Sequence, residues 1–126
     1  MAFARRVFSI AGIYGIIVLL PLFLGPTWFA QRFPPPVTHP DFYYGFAGTA
    51  LAWQLVFLII SRDPVRYRPL MLAGIVEKLI YGIASTALFL AGEIQPSLVV
   101  GPVVDLVFGA LFLLAWFRTA PTAPGA

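Results

Sequence analysis

The chain has 126 residues, of which 60% are hydrophobic and only 10% charged, whereas roughly 25% charged residues is usual in a soluble domain. Too little polar surface is present to cover a water-soluble globule. The net charge of +3 comes from arginines at the ends of apolar runs, so no basic face suited to nucleic acid is formed. The absence of cysteine excludes disulfides, thiolate chemistry and iron–sulfur clusters.

Four apolar stretches follow one another, and together they predict an all-α integral membrane protein, a four-helix transmembrane bundle forming one domain over residues 1–118. The first runs from Val7 to Leu24 behind Arg5 and Arg6. Arg5-Arg6-Val7-Phe8 superficially resembles a twin-arginine export signal, but no small-x-small cleavage site follows, so a first membrane helix is expected. Pro21 should bend or end it. Gly25 to Pro40 is a proline-rich connection. Trp28, Phe29 and Phe33 beside Gln31 and Arg32 suggest an amphipathic turn at headgroup level, and Pro34-Pro35-Pro36 an extended polyproline run.

The second helix is expected over Phe42 to Ile60, with Asp41 as its N-cap and Tyr43, Tyr44 and Phe46 as an aromatic belt. Gly45, Gly48, Thr49 and Ala52 offer a small-residue seam to a neighbouring helix. Ser61 to Pro69 is a short basic loop. The third helix is expected from about Leu70 to Gly92 with Pro69 at its start, and the fourth from Ser97 to Phe117 after a tight turn. Residues 119–126 form a Pro/Ala tail expected to be disordered. Arg5, Arg6, Arg62, Arg66, Arg68 and Arg118 share one side and Arg32 alone lies opposite. The excess of arginine predicts both termini in the cytoplasm of a bacterial inner membrane.

Ionisable residues inside such spans are functional candidates, because an unpaired charge at the centre costs roughly 2.5–3.5 kcal/mol. Asp105 is the deepest of them. Tyr14, Gln54 and Glu77 each lie about seven residues in from the basic side, roughly 10 Å by helix rise. Lys78 is one step deeper, and Asp105, Thr49 and Tyr81 share a depth of roughly 18 Å. Glu77 and Lys78 point about 100° apart on their helix, so they do not simply neutralise each other. Side chains lean toward their helix N-terminus, which tilts Lys78 and Asp105 away from each other and makes a direct ion pair strained. Hydrogen bonding of a neutral Asp105 to Tyr81 or Thr49 is the other solution. Glu77, Lys78 and Asp105 are thus the catalytic candidates, and Tyr14, Thr49, Gln54 and Tyr81 the ligand-binding ones. Gly101, Asp105 and Gly109 also form a stripe that packs helices without further function. His39 and Asp41 are too few for a metal site and read as a surface loop.

Arg62-Asp63-Pro64 and Arg66-Tyr67-Arg68-Pro69, ahead of a helix carrying Lys78, resemble the small four-helix bacterial membrane proteins of the DoxX-like group. That group includes proteins associated with quinol oxidation and thiol stress, although most members have no assigned activity. The resemblance implies the fold and carries over no site residue. Two functions are expected from the chain as a whole. One is a non-enzymatic accessory subunit or binder of a lipid or quinone-like hydrophobic molecule, associating with itself or a membrane partner. The other is an intramembrane acid–base enzyme or proton-coupled transporter using Glu77, Lys78 and Asp105. Neither specifies a cofactor.

Overall fold

The computed structural model describes residues 2–119, and the expected tail from residue 120 onward lies outside the described residues. The described residues form five α-helices: α1 (Ala2–Leu19), α2 (Pro26–Arg32), α3 (Pro40–Arg62), α4 (Arg68–Leu90) and α5 (Val100–Arg118). Short 3-10 turns extend α1 over Leu20–Leu24 and lead into α5 over Pro96–Val99. Counting these turns, four helices of 23 residues each are long and apolar enough to cross a bilayer. At 1.5 Å per residue each is about 34 Å long, slightly more than the hydrocarbon thickness.

Helix boundaries follow local chemistry. α1 starts at Ala2, not at Val7, because arginine is a good helix former and Arg5 and Arg6 simply continue the turn. Pro21 converts the end of this span to 3-10 geometry, as its missing N–H requires. Pro40 occupies the first turn of α3 behind the N-cap His39, and no side chain caps that end. Asp41 is therefore a first-turn acid favoured by the helix dipole rather than the N-cap. Gly25 and Gly92 adopt φ of 116° and 77°, a region closed to most side chains, at the two sharp breaks in the chain. Between α2 and α3 the Pro34–Pro35 peptide is cis.

The transmembrane helices pack in the order α3, α1, α5, α4, with extensive contact between α1 and α3 and between α4 and α5. Contact between α3 and α4 is slight. Close approach is achieved through glycine. A β-carbon on Gly12 would lie 2.9 Å from the Gln54 carbonyl oxygen of α3, and one on Gly82 would lie 2.6 Å from Leu106 of α5. Phe8, Phe57 and Phe112 are fully buried at the centre of the half nearer the arginines. Phe8 stacks on Phe112 at 4.2 Å, and Phe57 meets Phe112 edge-on at 4.9 Å. Such pairs contribute about 0.5–1.5 kcal/mol each beyond their burial.

Outside, the surface is apolar: Ile17, Ile80, Ile83 and Phe117 are all exposed. This inverted distribution is what a helix bundle in lipid requires. The small-residue stripe of α3 lies on that outer surface. Gly45 and Gly48 would meet nothing within 4 Å if given a β-carbon, so the seam expected from Gly45, Gly48, Thr49 and Ala52 meets no neighbouring helix among the described residues. Ala47, Ala50, Gln54 and Phe57 form the inward face instead. At the far end of α5, Thr119 is buried and its N–H donates to the Ala115 carbonyl, so it closes the helix rather than starting a tail.

Candidate functional site

Polar groups inside the bundle gather where α4 and α5 meet. Gly109 of α5 allows this approach, since a β-carbon there would sit 3.4 Å from Lys78 Cβ. Lys78 is 3% exposed and its ammonium donates to Asp105 Oδ1 at 3.2 Å. On its own helix, Glu77 Oε2 lies 3.8 Å from the same ammonium, beyond hydrogen-bonding distance, and has no hydrogen-bond partner. Lys78 therefore stands between two carboxylates. The rings of Phe57 and Phe108 complete its surroundings, with centroids 5.3 and 5.8 Å from Nζ. An ammonium in this setting is desolvated, and pairing with Asp105 together with the ring faces offsets part of that loss.

The direct Lys78–Asp105 pair is the first of the two arrangements the sequence allows. Thr49 does not approach Asp105; it is exposed on the outer face of α3. Tyr81 stacks with Phe46 at 5.6 Å, and Tyr14 packs at a tilt against Phe108 at 5.6 Å. Neither tyrosine makes a hydrogen bond to Asp105, whose Oδ1 accepts from Lys78. Gln54 is separate from this cluster. Its Nε2 donates to the Ala50 carbonyl at 2.9 Å, its Oε1 is buried without a partner, and its amide fills the space left by Gly15. The candidates thus divide into a charged group, Glu77, Lys78 and Asp105, flanked by Tyr14 and Tyr81, and an interhelical Gln54.

The slight contact of α3 with α4 leaves a groove between them on the outside of the bundle, and a second hollow adjoins it on the surface of α3. One, of about 460 Å³, is lined by Trp53 of α3 and by Leu72, Ala73, Val76 and Glu77 of α4. The other, of about 340 Å³, is lined by Gly48, Thr49, Ala52, Trp53 and Val56. Trp53 is the wall they share. Glu77 is therefore the member of the charged group that borders a space, and Lys78 lies behind it. Trp53 is the residue that sequence reasoning missed; the signal was a bulky indole set within an otherwise small-residue stripe.

At the arginine end, Arg68 Nε and Nη2 donate to the Trp116 carbonyl at 3.3 and 3.1 Å, and its guanidinium stacks on the Trp116 ring at 3.4 Å. Arg118 covers Phe3 at 4.6 Å. The backbone N–H of Arg66 donates to Asp63 Oδ1 at 3.2 Å, which shapes the turn between α3 and α4. At the opposite end the Tyr43 hydroxyl donates to the Leu22 carbonyl at 2.7 Å and ties α3 to the break after α1. Arg32 folds back over Trp28 at 4.3 Å.

No family model, curated protein or solved structure matches the chain.

Proposed function

We propose that this is a small multi-pass membrane protein that binds a hydrophobic molecule, without chemical conversion, in the groove between α3 and α4. Its termini and the Arg-Asp-Pro turn lie on the cytoplasmic side of a bacterial inner membrane, a placement supported by the six arginines at that end. The observation that carries the reading is the groove of about 460 Å³, apolar along Trp53, Leu72, Ala73 and Val76 and ending in one carboxylate, Glu77. Apolar walls with a single polar group are the usual composition of a small-molecule site. A lipid chain or a quinone-like ring system has the size and polarity to enter it from the bilayer.

The test is purification in native-membrane particles, followed by mass spectrometry of the retained small molecules. Ala73→Phe fills the groove. The wild type should retain a hydrophobic molecule that Ala73→Phe lacks, and identical profiles would refute the assignment.

A second reading, proton handling by Glu77, Lys78 and Asp105, is favoured by the ammonium standing between two carboxylates in an apolar bundle. It requires that Glu77→Gln and Asp105→Asn alter proton flux in reconstituted vesicles, and unchanged flux in both removes it.

A further inference from the structure

We infer that the occupant of the α3–α4 groove is a lipophilic monocation, an alkyl chain ending in an amine or quaternary ammonium group. This rests on the groove-binding reading above and adds the charge of the head. Two carboxylates, Glu77 and Asp105, face one ammonium, Lys78, so the group carries one negative charge in excess whenever all three are ionised, the state that a bound cation favours. The division of that charge is uneven. Lys78 is committed to Asp105 at 3.2 Å, while Glu77 stands at 3.8 Å without a hydrogen bond to it. Glu77 is also the member that lines the groove, and the surplus charge therefore borders the apolar space.

The remaining ionisable groups do not offset it. Tyr14 of α1 and Tyr81 of α4 bring no positive charge, and at this depth α3 contributes Trp53, Gln54 and Phe57. A cationic head placed beside Glu77 would complete the charge balance in a region where a lone charge is expensive. Trp53 of α3 lines the same groove, and indole is the most favourable aromatic partner for a cation. An anionic head would meet Glu77 with like charge and is excluded on the same grounds. The length of the apolar wall, from Leu72 to Val76 one helical turn away, fits the start of an alkyl chain leaving toward the lipid.

The experiment uses the full chain in zwitterionic phospholipid vesicles and three probes sharing an undecyl tail that carries two bromines close to the head: a trimethylammonium, an alcohol and a carboxylate. Bromine quenches indole emission on contact, and Trp53→Phe defines the signal from Trp28 and Trp116 to be subtracted. The ammonium probe should quench Trp53 saturably at about tenfold lower concentration than the alcohol, as an ion–carboxylate contact with an aromatic wall implies. The carboxylate probe should be weakest. Glu77→Gln should equalise ammonium and alcohol, and Glu77→Asp should keep the ammonium preference. Equal quenching by all three probes on the wild type overturns the charge assignment and leaves groove binding intact. Absence of saturable quenching by any probe overturns groove binding as well. If that absence coincides with a dimer by light scattering that Ala73→Phe dissociates, the groove is filled by a second copy and the inference is refuted.

Discussion

Removing the Asp105 carboxylate while keeping its approximate shape, as in Asp105→Leu, strips Lys78 of its hydrogen-bonded partner among the described residues. The Lys78 side chain is 3% exposed, so its charge is left to Glu77 at 3.8 Å. Truncating one member of a buried ion pair costs about 3–5 kcal/mol. Glu77 retains part of the attraction, which places the loss near the lower bound, about 3 kcal/mol or roughly a hundredfold in the unfolding equilibrium. Replacing both members, Lys78→Met with Asp105→Leu, removes the stranded charge and should recover about 2 kcal/mol or more of that loss. The assay is reversible unfolding in mixed micelles, titrating dodecyl sulfate against a mild detergent and following far-ultraviolet circular dichroism. Additive losses in the two single variants and the double variant would refute the reasoning, because uncoupled residues cannot form the pair described.

Two glycine substitutions should move stability in opposite directions. Gly12→Ala drives a methyl against the backbone carbonyl of Gln54 and should lower stability by about 1–3 kcal/mol in the same titration. Gly45→Ala meets open space and should raise it by about 0.5–1 kcal/mol through helix preference alone. Arg68→Lys keeps the charge but loses the paired donation to the Trp116 carbonyl and the ring stacking. It should cost about 1 kcal/mol and shift Trp116 emission, which a merely electrostatic role for Arg68 would leave unchanged.

The four apolar helices were legible because an apolar run of this length in lipid has one solution, with every backbone group bonded inside its own helix. The break at Pro21 was legible because proline dictates it, whereas the third helix was carried on to Gly92 and ends at Leu90. Facing was not. In a bilayer the outward residues are as apolar as the inward ones, so the Gly45, Gly48, Thr49 and Ala52 stripe reads identically whether it meets a helix or lipid. The depth of Lys78 and Asp105 could be counted from the sequence, but the strain expected of their pairing could not be checked there. Gly82 and Gly109 resolve it by drawing α4 and α5 together, which shortens the span the lysine has to reach. Trp53 escaped notice for a related reason: nothing in a one-dimensional pattern reveals that α3 and α4, neighbours along the chain, barely touch.

That loose junction bears on how the molecule is assembled. α1 with α3 and α4 with α5 form two hairpins, and the aromatic stack of Phe8 on Phe112 joins them through the first and last of the helices. During synthesis the earlier hairpin therefore waits in the bilayer with its mating face bare until α5 has been inserted. Whatever shields Phe8 and Ala11 in that interval, lipid or an insertase, acts as a temporary stand-in for α5.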